Sequence, residues 1–215
     1  MIPFSFTIIL PTTGRGTLEL TLQSIAGQDW VDGDELLVVS DGNYPGLLKR
    51  CQRSLLPGRF VEIAGPCGDW GHTPRNRTIP LARGDYILSI DDDDIFVPGA
   101  FRTIREALRH APGRPHLFRF CDGHLGGNYH WKEPVLRMND IGTPCFAYPN
   151  RPGKFGTWAP CRGGDFNFIK GTCDYYREGP VWREEIIVIT RPEGKREGCK
   201  GVGLAGPPMA ESDER

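Results

Sequence analysis

Four consecutive carboxylates, Asp91-Asp92-Asp93-Asp94, follow the apolar run Tyr86-Ile87-Leu88-Ser89-Ile90. Neighbouring anions repel, and each makes the next harder to ionise. Chain folding alone gives no reason to gather four of them at the end of a buried strand. A divalent cation would remove the repulsion, and an all-oxygen donor set suits Mg2+ or Mn2+, ions that also bind diphosphate oxygens. The plain counter-reading is a solvated acidic turn, the usual meaning of an isolated acidic run. Position argues for the cation, because ligands of open α/β sheets collect beyond the carboxyl ends of strands.

Other polar residues fall at comparable places. Pro11, Thr12, Thr13 and Arg15 follow the first apolar run, Phe4 to Leu10, and read either as plain loop residues or as a rim around a base and phosphate. Asp41 ends the second run, Leu36 to Val39. It is either half of an ordinary Asp-Gly turn or an acceptor for nucleoside hydrogen bonds. Arg75 opens a helix, an end where cations are slightly unfavourable. Its two readings are a salt bridge to the aspartates and a contact to a diphosphate. Asp165, between glycines and aromatics, is a helix cap or a general base on a loop. The histidines show no metal spacing, and the GxGxxG of a dinucleotide site is absent after the first strand, which disfavours an NAD or FAD enzyme.

The elements that must position these residues alternate. Short β-rich runs at 4–10, 36–39, 59–63 and 86–90 are each preceded or followed by a helical pattern. Thr17 is placed to cap a helix through Gln28, and Leu47 to Arg53 continues as a second. Thr73-Pro74 caps a third that runs to about Ala82, and a fourth spans Pro98 to His110. This order predicts an α/β fold, Rossmann-like, with a mostly parallel sheet flanked by helices. After residue 110 the chain becomes loop-rich. Strands are expected at 117–120 and 181–190, a one- to two-turn helix at 164–170, and aromatic clusters between them, of which Trp158 is the first choice for a ligand-stacking platform. Residues 1–192 read as one domain with halves 1–110 and 111–192, and 193–215, almost without apolar residues, as a flexible tail.

Composition removes several classes. The 26 Lys and Arg against 27 Asp and Glu give a net charge of −1, so no basic field points to nucleic acid. Seven cysteines lie without a CxxC pair, and the first residues enter a strand directly. Free thiols in a reducing, cytoplasmic setting are therefore expected. No apolar run has the length of a transmembrane segment.

Taken in order, these pieces resemble the inverting glycosyltransferases of family 2, which have the GT-A nucleotide-sugar fold. The resemblance lies in Ile8-Ile9-Leu10-Pro11-Thr12-Thr13-Gly14-Arg15, in Leu22-Gln23-Ser24-Ile25-Ala26-Gly27-Gln28 and in Val38-Val39-Ser40-Asp41-Gly42-Asn43. It continues in Pro74-Arg75-Asn76-Arg77 with Leu81-Ala82-Arg83-Gly84-Asp85-Tyr86-Ile87, and in the aspartate run with Pro98 four residues on. It implies a nucleotide-diphosphate sugar donor, a UDP-sugar by family default, and a hydroxyl acceptor. It further implies that Asp91 orients the ribose beside Asp92 and that Asp93 holds Mn2+ or Mg2+. Asp92 with Asp94 is the alternative register. Arg162-Gly163-Gly164-Asp165-Phe166-Asn167-Phe168 is similar to the segment that supplies the family's base, which makes Asp165 the catalytic candidate. A sugar-phosphate nucleotidyltransferase on the same fold, and a binder without catalysis, stand as the other expectations.

Overall fold

The computed structural model describes residues 3–53, 56–123 and 128–192. The expected tail, 193–215, lies outside the described residues. The first half builds β1 (Phe6–Thr12), α1 (Leu18–Ala26), β2 (Glu35–Asp41), α2 (Leu47–Arg53), β3 (Gly58–Ile63), α3 (His72–Thr78) and β4 (Tyr86–Ser89). These strands lie in the order β3-β2-β1-β4, and all three pairings are parallel. All seven residues of β1 are buried, as a strand covered on both faces requires. The chain winds outward from β1 through β2 to β3, then crosses to β4 on the other side of β1. The crevice beyond the carboxyl ends of β1 and β4 is therefore a topological switch point.

The second half adds β5 (Asp94–Phe96), α4 (Ala100–His110), β6 (His116–Asp122), β7 (Asn128–Tyr129), β8 (Phe146–Pro149), α5 (Gly164–Cys173) and β9 (Val181–Thr190). The sheet continues β4-β8-β6-β9-β5, with β7 beside β6. Here β8 runs antiparallel to both of its neighbours, and β5 antiparallel to β9, whereas β6 and β9 are parallel. Parallel pairing thus governs the first half, and the whole is a mixed α/β sheet.

Several expectations are corrected. Thr17 makes no side-chain cap, and its buried hydroxyl has no hydrogen-bond partner among the described residues. Thr73 lies inside α3, whose first turn is capped instead by Asp69, with Oδ2 accepting from the Thr73 N–H at 2.9 Å; Gly71, left-handed at φ 77°, starts the helix. That helix ends at Thr78 and passes into a 3-10 turn at Ile79–Leu81. The aspartate run leads into β5 before the helix begins, because Asp94 to Phe96 pair with Val188 to Thr190. Cysteines 51, 67, 145, 161 and 173 are free, but Cys121, fully buried in β6, is disulfide-bonded, so free thiols throughout does not hold. Among the described residues no helix is long and apolar enough to cross a membrane.

One buried ion pair fastens α4 to the starts of β1 and β2. The Arg105 guanidinium on α4 pairs with Asp34, donates to the carbonyls of Phe4 (2.9 Å) and Asp29 (2.7 Å), and lies 4.3 Å from the centroid of the Phe6 ring. Asp34 in turn accepts from the N–H groups of Phe6 (2.7 Å) and Val31 (2.8 Å). Every polar atom that burial strips of water here finds a partner within the protein, the condition under which a buried ion pair is tolerated.

Candidate active site

The end of β4 and the turn into β5 fold three of the four carboxylates toward one point. Asp91, Asp93 and Asp94 each offer an oxygen within 4.8 Å of the others. Asp92 lies outside this group because its carboxylate is drawn to the loop after β1. It is buried, and its Oδ2 accepts from the Thr12 hydroxyl at 2.6 Å and from the Thr13 N–H at 3.3 Å. Thr12 Oγ1 also accepts from the Gly14 N–H at 2.9 Å. Asp92 therefore shapes the loop after β1, while its three neighbours face the crevice.

Arginines partly balance the cluster. Arg15 Nη1 lies 2.9 Å from Asp93 and 3.6 Å from Asp92; Arg191 Nε lies 3.6 Å from Asp93; Arg75 pairs with Asp91. Arg15 and Arg191 are more than half exposed, and pairs of that kind contribute little. Burial, reinforced by Asp91, pushes the Asp93 carboxyl above its ordinary pKa. Burial also holds Asp94 well above the carboxylate range, with Asp91 and Asp93 adding to the effect. Such a set is short of positive charge. Three convergent carboxylates, two of which, Asp93 and Asp94, resist ionisation in the bare protein, are a fitting donor set for a hard divalent cation. On the far side of Asp93, Thr17, Leu20, Thr21, Ile95 and Arg191 line a cavity of about 180 Å³.

Asp41 is buried at the end of β2, and its Oδ1 accepts from the Cys67 N–H at 2.8 Å. This bond ties the loop between β3 and α3 against β2. The other end of the loop is held by Arg75, whose Nη1 donates to the Trp70 carbonyl at 3.0 Å. Arg75 is itself 1% exposed, with Nε unpartnered among the described residues, and its guanidinium lies 4.8 Å from the centroid of the Trp158 ring. The neighbouring Asn76 brackets the Trp158 backbone, donating to its carbonyl at 2.8 Å and accepting from its N–H at 3.1 Å.

Trp158 is consequently no platform. It is 2% exposed, stacked on Phe168 at 4.3 Å and facing His72 at 5.6 Å. Its role is to carry Arg75, and the expectation of a ligand-stacking surface there is corrected by its burial. Apart from Phe168, the residues that cover it, His72 and Arg75, lie far away in sequence.

Asp165 sits in the first turn of α5, after Gly163 in the left-handed conformation at φ 81°. Its Oδ1 accepts from the Phe166 N–H at 2.8 Å, and its Oδ2 accepts no hydrogen bond among the described residues. One oxygen thus secures the helix start, and the other points past Gly142, where an added Cβ would lie 3.2 Å away. The glycine before it is dictated by space. A Cβ on Gly164 would lie 2.1 Å from the Ala159 carbonyl oxygen and 2.5 Å from the His72 ring. His72 is buried; burial and then Arg75 lower its pKa, against the opposing effect of the Ala159 backbone. The site also includes His72, Trp70 and Arg191, which the sequence motifs do not single out. The Gly-Asp-Trp-Gly loop after a parallel strand was the signal present for the first two.

Residues 7–113 match the model of glycosyl transferase family 2. This part of the chain is a glycosyl transferase family 2 domain. Among curated proteins the chain is 26% identical over 163 residues to the GalNAc(5)-diNAcBac-PP-undecaprenol beta-1,3-glucosyltransferase of Campylobacter jejuni, covering 69% of this chain and 49% of that protein. It is 27% identical over 111 residues to an uncharacterized glycosyltransferase of Mycoplasma pneumoniae, covering 50% and 37%. The chain thus spans half or less of the curated relatives it matches. Its fold is that of S. aureus TarS 1-349 in complex with UDP (TM-score 0.72, 17% identity, 86% of this chain and 60% of that one). It is also that of the mannosyltransferase PcManGT from Pyrobaculum calidifontis in complex with GDP-Man and Mn2+ (TM-score 0.60, 18% identity, 88% and 56%). The family 2 domain covers the switch-point half of this GT-A fold. Residues from 114 onward lie outside the match.

Proposed function

We propose that this family 2 domain transfers a sugar from a nucleotide-diphosphate sugar to an acceptor hydroxyl with inversion, assisted by a divalent cation. The observation that carries the reading is the convergence of Asp91, Asp93 and Asp94 on the switch-point crevice of such a domain. Asp93 and Asp94 would hold Mn2+ or Mg2+, and Asp91, half exposed and tethered by Arg75, would meet the ribose. Bound there, the cation supplies charge neutralisation for the departing diphosphate. Thr13 and Arg15 line the same loop, and Asp41 stands at the end of the neighbouring strand, toward the base. UDP and GDP-Man in the neighbouring structures support a nucleotide-sugar donor for this chain.

The Asp165 Oδ2 would take the proton as the acceptor oxygen attacks the anomeric carbon. The new C–O bond forms opposite the breaking bond to the diphosphate oxygen, the electron pair leaves on the diphosphate, and a single displacement inverts the centre. The nucleotidyltransferase expectation is weaker in this geometry. It needs an open phosphate-cradling loop after β1, yet the Gly14 N–H is taken by Thr12 and the Gly14 and Arg15 carbonyls are held by Arg50 at 2.7 Å each.

The test is incubation with UDP- and GDP-sugars, Mn2+ and an acceptor panel, read by mass spectrometry. Transfer by the wild type that falls by about 10²–10⁴-fold in Asp165→Asn, with nucleotide binding retained, supports the reading. Unchanged turnover in that variant removes Asp165 as the base.

A further inference from the structure

With Trp158 buried, the acceptor side of Asp165 needs another surface, and the structure offers one in Trp70. Its indole is 68% exposed, more than any other large apolar side chain among those described as exposed. It is not a loose side chain on a loose loop. Its backbone stands at φ 56°, a left-handed conformation that bulky residues rarely adopt. That conformation is held from both sides, by Asp41 on Cys67 and by Arg75 on the Trp70 carbonyl. A strained aromatic fixed in solvent by two buried charged side chains is not explained by packing, since it buries little. Strain of this kind clusters where a ligand is gripped.

Its place is equally specific. The rings form a file, Phe168, Trp158, His72, Trp70, with successive centroids 4.3, 5.6 and 6.1 Å apart. The file passes Asp165, whose neighbour Gly164 abuts the His72 ring. On the other flank Met138, half exposed, lies against Gly163, close enough that a Cβ there would be 3.3 Å from its Cε. Two exposed apolar side chains, contributed by segments far apart in sequence, therefore lie near the glycines that precede Asp165, Met138 at Gly163 and Trp70 by way of His72 at Gly164. We propose that Trp70, with Met138 opposite, forms the acceptor platform, taking the C–H face of a pyranose ring whose hydroxyl is directed at Asp165. The indole face is electron-rich, and the axial C–H bonds of a pyranose are weakly positive, so the two stack while the ring hydroxyls point outward. The inference rests on the glycosyl-transfer reading and names the substrate class of that site.

The experiment uses the full chain with 15N-labelled tryptophan indoles. The Trp70 resonance is assigned by its loss in Trp70→Phe. Methyl β-pyranosides of glucose, galactose and N-acetylglucosamine are titrated with UDP and Mn2+ present, and again without them. The Trp70 resonance moves with at least one pyranoside, and Trp70→Ala weakens that pyranoside about tenfold, near 1.4 kcal/mol, while UDP affinity is unchanged. No movement with any pyranoside, or full movement with UDP and Mn2+ alone, overturns the proposal; the second outcome would make Trp70 a base contact. Trp70→Gly gives an independent reading, because glycine relieves the left-handed strain and removes the platform. Tm rises by about 2–5 °C as pyranoside binding falls; a lowered Tm makes Trp70 a structural residue and overturns the proposal. A protein that binds no nucleoside diphosphate refutes glycosyl transfer alone, since the nucleotide-free titration still reports on Trp70.

Discussion

Substituting the four aspartates one at a time separates the carboxylates that face the crevice from the one that does not. Asp93→Asn removes a member of the cluster of Asp91, Asp93 and Asp94. Asp92→Asn leaves that cluster intact and instead weakens the acceptor of the Thr12 hydroxyl and Thr13 N–H. A ligand at a hundred times its Kd stabilises the folded state by about 2.7 kcal/mol. For a domain of this size that corresponds to a Tm rise of roughly 5–10 °C. The wild type should show this increment with UDP and Mn2+, read by calorimetry or thermal shift. Asp93→Asn should lose most of it. Because Asp93 is costly to ionise in the bare protein, the same variant should melt no lower than wild type without ligand. Asp92→Asn behaves in the opposite way. It loses about 1–2 kcal/mol of hydrogen bonding to a charged acceptor, some 2–8 °C, and keeps the Mn2+ increment. If Asp92→Asn abolishes the increment while Asp93→Asn preserves it, the assignment of facing carboxylates is wrong.

Two further expectations concern stability. His116 is fully buried, and burial lowers its pKa from 6.5 to about 4, with Arg183 and Arg114 adding to the shift against the Ala111 carbonyl. The neutral ring is the one the fold accepts, so its contribution is complete above pH 6.5 and is lost as the pH falls from there through 4. The loss approaches about 3 kcal/mol, and urea titrations between pH 7 and 4 should show that limb flattened in His116→Asn. Arg105→Met leaves Asp34 buried without its charge partner while its N–H donors remain; a loss of about 3–5 kcal/mol is expected in chemical denaturation, and a loss below 1 would show that water replaces the guanidinium.

What could be read from the chain follows how local each cause is. The parallel half was legible because buried parallel strands are continuous apolar runs, and Phe6 to Leu10, Leu36 to Val39 and Tyr86 to Ile90 each announce themselves without reference to the rest of the molecule. The helix at Asp165 was legible for the same reason. The three-residue strand at Asp94 was not, since it exists only through pairing with residues almost a hundred positions away. Trp158 was misjudged on the same ground: its neighbours His72 and Arg75 come from the other half of the chain. Caps at Thr17 and Thr73 failed because a hydroxyl of the right type is a weak signal beside glycines that can adopt left-handed backbone, as Gly71 does. The aspartate run gave its location but not its facing set, because Asp92 is withdrawn by a contact to Thr12 that spans 80 residues.

The pair Arg75-Asn76 has a thermodynamic consequence. Arg75 touches Asp91, the Trp70 carbonyl and the Trp158 ring, and Asn76 grips the Trp158 backbone. Any molecule that draws Asp91 away from Arg75 alters the restraint on Trp70, and any molecule that presses on Trp70 is felt at Asp91. Linkage requires that this influence be equal in both directions. If donor and acceptor bind where they are placed here, the dissociation constant of each depends on the presence of the other by one common factor, set by a single turn of α3.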